Sequence, residues 1–364
     1  MSRDSRSTSL SKTFLGNTRV LALLETMLAS GRVPHAVLFS GQQGCGLYTL
    51  AVLFAGEVLS VGLPEHAAQV ARQNAQKGIH PDLCVVQAEG ASISVDQVRA
   101  VTSELYTLPN QGSYKVVLIC DAQKMTAQAQ NALLKALEEP PSHGVFILTA
   151  DSPQGLLTTV RSRVMDFAIV PPPVDDCVAF FAGDSLPADQ LRFISELFEG
   201  NIGRTMQYFG VTRQNLAAAR FEQTSLRRVK SAKKPAAKTK SPAKKSEDGP
   251  RERLQMAMKL LAAVGAQQPA AVAGLIYRCK NRDELRLLLD DVVRLLPFAA
   301  KVRYQGAAVP PSLGELSGMG RIAPDRVMTC VQASRRYIER NANLALVQAQ
   351  LAAALAQCYS GGSK

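Results

Sequence analysis

Three glycines in the first fifty residues have the spacing of a phosphate-binding loop. Gly41 and Gly46 bracket four residues in the stretch GQQGCGLYTL, and Gly44 lies between them. A working loop continues with Lys, which neutralises the β- and γ-phosphates, and then with Ser or Thr, which holds Mg²⁺. Here those two positions hold Leu47 and Tyr48. Because Leu47 cannot pair with a phosphate, we predict a tight strand-to-helix turn with no competent nucleotide site and no metal site.

A second position that ATP hydrolysis needs is also altered. An apolar strand ending in Asp-Glu would supply a Mg²⁺ contact and an acid/base group for the attacking water. The apolar run 115–120 is instead followed by Asp121 and Ala122, so the second acid is missing. Two independent losses therefore predict that this domain does not hydrolyse ATP.

Short apolar runs and helical patterns alternate before residue 170. The runs are rich in β-branched residues and almost continuously apolar, which is typical of strands buried on both faces of a parallel sheet. They cover 36–39, 83–86, 115–120, 145–150 and 165–170. Helical patterns over 95–105 and 126–139 lie between them, so we predict an α/β domain with right-handed crossovers.

Composition and charge divide the rest of the chain. Residues 226–245 carry nine of the 42 Lys and Arg residues and no acid, and they account for most of the net charge of +12. We expect a solvated, disordered linker that can also make weak, salt-dependent contact with nucleic-acid phosphates. The predicted segments are a disordered tail 1–13, the α/β domain 14–170, a small helical lid 171–222, the basic disordered linker 223–250 and a helical domain 251–364.

Several classes of protein are excluded by composition. The seven cysteines are scattered without a C-x-x-C pair, which favours a reducing compartment and predicts no zinc site. No uninterrupted apolar stretch is long enough to span a membrane, and the polar N-terminus has no apolar run behind it. We therefore expect a cytoplasmic protein with no membrane partner.

Several motifs resemble the bacterial clamp-loader subunits of the AAA+ class. The most specific is QNALLKALEEPPSHGVFILTADSPQGLLTTVRSRV at 130–164; GRVPHAVLFSG (31–41), HPDL (80–83) and ISVDQVRAV (93–101) agree with it. The stretch NANLALVQAQLAAAL (341–355) is similar to their terminal helix. The resemblance is dense over 14–170 and thin over 211–340. It implies an AAA+ α/β domain, a three-helix lid and an all-α collar domain that oligomerises.

The resemblance gives a role to an arginine that spacing alone leaves as a solvated charge. In this family a Ser-Arg-Cys motif supplies an arginine finger to ATP bound by the neighbouring subunit. Ser162 and Arg163 match that motif, with Val164 in place of Cys. The resemblance thus implies that Arg163 acts in trans, while Arg161 is structural or contacts an interface.

Other positions depart from the family pattern. Many relatives carry a four-cysteine zinc module before HPDL, but residues 55–79 contain no cysteine. Thr149 and Arg204 match positions that read the nucleotide in relatives. Without the lysine we expect Thr149 to be vestigial, and for Arg204 an exposed helix charge is at least as good an interpretation as nucleotide reading.

Within this family, the delta-prime subunits of DNA polymerase III commonly lack a competent ATP site, and the chain most resembles them. The resemblance implies a hetero-oligomer with delta and gamma/tau subunits that loads a sliding clamp onto primed DNA. ATP-Mg would act at the neighbouring subunits, and the polymerase chemistry would belong to other chains of the holoenzyme. One alternative is a divergent gamma/tau-like ATPase, but no lysine lies between Gly41 and Gly56. Another is a DNA-binding scaffold that depends on residues 226–245.

Overall fold

The computed structural model describes residues 10–182, 186–210, 249–306, 309 and 318–359. These residues form two compact units. The first contains residues 10–176 together with 201–204, and the second contains the remaining described residues. Residues 1–9 of the predicted tail and residues 211–248, which include the basic segment 226–245, lie outside the described part.

The first unit is built on a parallel sheet, as predicted. Its five strands pair in the order β2-β3-β4-β1-β5, and every pairing is parallel. Their bounds are β1 Ala36–Ser40, β2 Leu83–Val86, β3 Lys115–Ile119, β4 Gly144–Ala150 and β5 Met165–Ala168. All residues of the first four strands are buried, which explains why their sequences are apolar without alternation.

Helices cover both faces of this sheet. They are α1 Leu10–Thr13, α2 Thr18–Ala29, α3 Leu47–Ser60, α4 Glu65–Gln76, α5 Val95–Leu105, α6 Ala127–Glu138 and α7 Thr158–Arg161. Successive strand residues enter opposite cores: Val37 and Phe39 pack with the core that contains α2 and α3, whereas Ala36 and Leu38 pack with that of α5 and α6. The α/β fold class is therefore confirmed.

One boundary is corrected by α1. Residues 10–13 were predicted to belong to a disordered tail, but they form a helical turn, and Leu10 is fully buried in the core beside Phe14 and α2. A single buried leucine in the polar stretch LSKT gives no periodic signal, so the sequence pattern does not reveal this anchor.

Local sequence signals fix the starts of α5 and α6 and the end of α6. Ser94 and Gln97 form a reciprocal capping box at the start of α5. The Thr126 hydroxyl accepts a hydrogen bond from Ala129 N at the start of α6 (3.2 Å), and α6 ends just before the prolines that follow Glu139. Both helices are thus held at defined positions against the sheet.

The later described residues are helical, as predicted for the C-terminal region. The helices are α8 Val174–Phe180, α9 Ala188–Leu197, α10 Ile202–Phe209, α11 Pro250–Gly265, α12 Pro269–Ile276, α13 Arg282–Gln305, α14 Pro324–Glu339 and α15 Leu344–Ala356. The helices from α9 onward contribute to the apolar core of the second unit. Its main buried charge, Asp291, pairs with Arg253 at 2.6 Å. The division of this part into a lid and a collar stays a prediction.

None of the helices in the described ranges combines the length and apolarity required to cross a membrane.

Candidate functional site

The glycine-rich loop connects β1 to α3. Gly44 (φ 94°) and Gly46 (φ 84°) have left-handed backbones that residues with a side chain rarely adopt. At Gly41 a Cβ atom would lie 2.2 Å from the Ile169 carbonyl oxygen, so close packing against the chain after β5 also requires glycine. The predicted strand-to-helix turn is present, and steric demands within this fold account for all three glycines.

The two residues that replace Lys and Ser/Thr both pack with the apolar core of the first unit. Leu47 is buried in the core that contains α2 and α3, and the ring of Tyr48 packs against the same core. Burial raises the pKa of the Tyr48 phenol, which keeps the side chain neutral. Neither side chain offers a positive charge to a phosphate.

A cavity of about 500 Å³ remains beside the loop. Its charged lining residues, among those described, are Asp121, Lys124 and Asp151. The Lys124 ammonium already pairs with the Asp121 carboxylate at 2.8 Å. Burial, followed by the charge of Asp121, raises the pKa of the Asp151 carboxyl. The lining therefore has no surplus positive charge, whereas a polyphosphate requires one.

Thr149 faces the backbone of the neighbouring strand end. Its hydroxyl accepts a hydrogen bond from Asp121 N at 3.0 Å, and it is buried at the edge of the same cavity. This bond joins the ends of β3 and β4, so Thr149 has a structural partner within the protein.

A short turn from far along the chain closes onto the loop. We call residues 201–204 the closing turn; they belong to the same unit as the loop. Gly203 N donates to the Gly44 carbonyl at 3.0 Å. The Asn201 amide Nδ2 donates to the Gln43 carbonyl at 3.0 Å and to the Cys45 thiol at 3.6 Å. Two loop carbonyls, those of Gln43 and Gly44, are thus hydrogen-bonded to the closing turn.

The two backbones meet closely because both sides use glycine. A Cβ atom on Gly203 would lie 2.6 Å from the Gly44 carbonyl oxygen, and one on Gly44 would lie 2.4 Å from the Asn201 side-chain oxygen. Asn201 is fully buried, and its oxygen also accepts a hydrogen bond from Arg204 N at the start of α10 (3.1 Å). This asparagine therefore caps the helix and holds the loop with one side chain.

Arg204 lies near the loop, as its sequence position suggested. Its charge opposes the pKa increase that burial causes at both Cys45 and Asp151, although burial has the larger effect. The positive charge is thus directed at groups of this chain.

Arg163 is placed elsewhere in the first unit, directly after α7. It is absent from the described residues that line the loop cavity. Its guanidinium pairs with the Glu138 carboxylate at 2.8 Å and donates to the Thr159 carbonyl at 2.8 Å. The side chain remains about one third exposed. Arg161 is exposed, and Val164 packs against the core of α5 and α6.

Comparison with known proteins agrees with these features. Residues 16–173 match the family described as "DNA polymerase III, delta subunit". Over this region the chain is similar to clamp-loader subunits of DNA polymerase III. The match covers the whole sheet, the glycine-rich loop and Arg163.

Individual relatives come from two kinds of clamp-loader subunit. DNA polymerase III subunit delta' of Bacillus subtilis (strain 168) is 34% identical over 155 residues, which cover 42% of this chain and 47% of that protein. Subunit delta' of Escherichia coli (strain K12) is 33% identical over 194 residues, covering 51% and 58%. Subunit gamma/tau of Mycobacterium tuberculosis (strain ATCC 25618 / H37Rv) is 32% identical over 216 residues, covering 51% and 36%. The chain spans about half the length of these relatives, or less.

Sequence reasoning found the loop and Arg163 but missed three residues that surround them. Asn201 and Gly203 lie more than 150 positions from the loop, and Glu138 lies 25 positions before Arg163. A polar residue followed by a glycine at the start of a helix was the available signal at 201–203, and it indicates a cap without naming its distant partner.

Proposed function

We propose that this chain is a delta-prime-type clamp-loader subunit that does not hydrolyse ATP itself. The observation that carries the proposal is the glycine-rich loop. It lacks the lysine, and its carbonyls bond to the closing turn at Gly203 and Asn201. A loop without that lysine lacks the positive charge that a bound triphosphate needs, and the closing turn holds it in its present shape. No nucleotide would be bound competently, and ATP-Mg would act at neighbouring subunits.

The partners in this proposal are gamma/tau and delta subunits, a sliding clamp and primed DNA. Arg163 would act in trans on an ATP bound by the adjacent subunit. In support, its guanidinium is partly exposed and is held outside the loop cavity of its own chain. An arginine supplied in trans is worth about 10³–10⁵-fold in the best-studied GTPases, so its loss should be easily measured.

The decisive experiment is ATP turnover by a reconstituted complex with gamma/tau and delta subunits. To isolate one site, the phosphate-loop lysine is replaced in every ATPase subunit except the one next to this chain. Arg163→Ala should lower turnover at that site by at least about 10²-fold without preventing assembly. Arg161→Ala, a nearby exposed arginine, is the matched control and should have little effect.

The chain alone should bind no ATP and release no phosphate. Measurable ATP hydrolysis by the isolated chain, abolished by Asp121→Asn, would instead favour the gamma/tau-like ATPase. Unchanged turnover in the Arg163→Ala complex would remove the arginine-finger role and leave only a structural role for this subunit. The basic segment 226–245 is tested separately by the salt dependence of DNA binding before and after its deletion.

A further inference from the structure

We propose that Glu138 is the positioning residue for Arg163: it holds the guanidinium in the orientation from which it reaches the neighbouring subunit. This inference rests on the proposed function, because it assumes that Arg163 acts in trans. Its physical basis is a set of contacts around one guanidinium that joins two separately anchored helix ends.

The guanidinium is held from two directions. On its own side, Nη1 donates to the Thr159 carbonyl at 2.8 Å and to the Ser162 hydroxyl at 3.3 Å. From the other helix, the Glu138 carboxylate forms an ion pair with Nη2 at 2.8 Å. Arginine has several rotatable bonds and much rotamer freedom, so one anchor near its own backbone would not fix the end of the side chain.

These contacts leave donors for a further acceptor. A guanidinium has five N–H groups. The two on Nη1 donate to Thr159 and Ser162, and Nη2 forms the ion pair with Glu138. Nε–H and the Nη2 hydrogens make no hydrogen bond within the described ranges of the chain. Because a phosphate oxygen pair needs two donors, Arg163 can keep its hold on Glu138 while it binds a phosphate.

Both anchors are attached to rigid elements. Glu138 is the last residue of α6, whose opposite face buries Leu133, Ala136 and Leu137 against the sheet. Arg163 comes two residues after α7, where Val160 is fully buried. The carboxylate therefore marks a fixed point in space, and the guanidinium is fixed relative to it.

Stability alone does not account for this pair. The side chains of Arg163 and Glu138 are 35% and 50% exposed, and an exposed pair of this kind contributes little to folding because water screens it. A positioning residue makes a contact of this kind: it adds little to the stability of the fold but fixes the orientation of a group with a chemical role.

A double-mutant cycle tests the proposal in the same single-site complex. Glu138→Ala should lower the kcat of ATP turnover by about three- to tenfold with little change in KM, because misorientation affects the transition state more than ATP binding. In the Arg163→Ala background, Glu138→Ala should have no further effect. Glu138→Asp, which keeps the carboxylate, should restore part of the rate.

Glu139→Gln is the matched control. Glu139 is the next residue and is also exposed, so its substitution removes the same charge from the same helix end. It should leave turnover unchanged, which separates orientation of Arg163 from a general change in surface charge. Assembly of each variant is checked by its elution with the partner subunits.

The outcomes separate this inference from the proposed function. If Arg163→Ala slows turnover but Glu138→Ala does not, the inference falls and the proposed function stands. The inference also falls if Glu138→Ala slows turnover equally in both backgrounds, or if it raises turnover, since the carboxylate would then hold Arg163 back. If Arg163→Ala has no effect, the arginine-finger role and this inference both fall.

Discussion

The close contact between Gly203 and Gly44 gives a quantitative prediction for Gly203→Ala. The added methyl group would lie 2.6 Å from the Gly44 carbonyl oxygen and 2.8 Å from its Cα atom, whereas ordinary contacts begin at 3.4 Å. The two backbones must therefore separate by roughly 0.6–0.8 Å, and the 3.0 Å hydrogen bond from Gly203 N to Gly44 O would be lost.

The expected cost follows from these terms. Overpacking costs about 1–3 kcal/mol, and the lost hydrogen bond costs about 0.5–1.5 kcal/mol. The better helix propensity of alanine offsets up to about 1 kcal/mol of this destabilisation. Together these terms give a destabilisation of the closing turn of about 0.5–4.5 kcal/mol, with a central value of about 2 kcal/mol, and the sheet should stay intact.

Cys45 provides the assay. Its thiol is buried and accepts a hydrogen bond from the Asn201 amide, and burial is the main cause of its raised pKa. Opening of the turn exposes the thiol and lowers its pKa, so alkylation at Cys45 should be faster in Gly203→Ala, by about 30-fold at the central value. Mass spectrometry of the labelled peptide distinguishes Cys45 from the other cysteines.

Gly274→Ala is the matched control. Gly274 is also a helical glycine, and a Cβ atom there would meet no atom within 4 Å. This variant should leave alkylation at Cys45 unchanged. If Gly203→Ala folds normally and its Cys45 is alkylated at the wild-type rate, the closing turn does not hold the loop.

Three further predictions concern stability. Asp82 is fully buried and accepts hydrogen bonds from Asn110 N and Gln111 N at 2.6 and 2.7 Å. Asp82→Ala should therefore lower the free energy of unfolding in urea by about 3 kcal/mol. A loss below about 1 kcal/mol would refute this account. Burial lowers the pKa of His80 below its ordinary 6.5. Between these two pKa values the unfolded chain binds more protons than the folded chain, so stability is lost as pH falls through 6.5 toward the lowered pKa. His80→Asn should therefore make the free energy of unfolding between pH 7 and 5 depend less on pH. An unchanged pH dependence would contradict the prediction. Arg253→Met should destabilise the second unit by about 1–3 kcal/mol in thermal unfolding, because the buried Asp291 loses its 2.6 Å partner; Asp291→Asn in the Arg253→Met background should recover part of the loss.

The sheet was predictable because its signal is local. Strands buried on both faces, such as β3 and β4, read as short continuous apolar runs, and the prolines after Glu139 end α6 where the sequence pattern places its end. The degenerate loop was recognisable for the same reason, since the glycines and their replaced neighbours occupy one short stretch.

The contacts around the loop were not predictable because they are long-range. The sequence around Asn201 and Gly203 indicates a helix start, and only the folded chain brings it to Gly44. The pair of Arg163 with Glu138 was missed for a related reason: each is an ordinary surface charge in sequence, and their meeting depends on where α6 and α7 end.

The glycine pair also constrains how this loop can change during evolution. Regaining Lys at position 47 would place an ammonium group where a leucine is now buried, while Gly203 and Asn201 would still hold the loop carbonyls. Opening the turn first would expose Cys45 and cost stability before any nucleotide could compensate. Each of these two changes is therefore unfavourable on its own, so Leu47 and the glycine pair favour each other's retention.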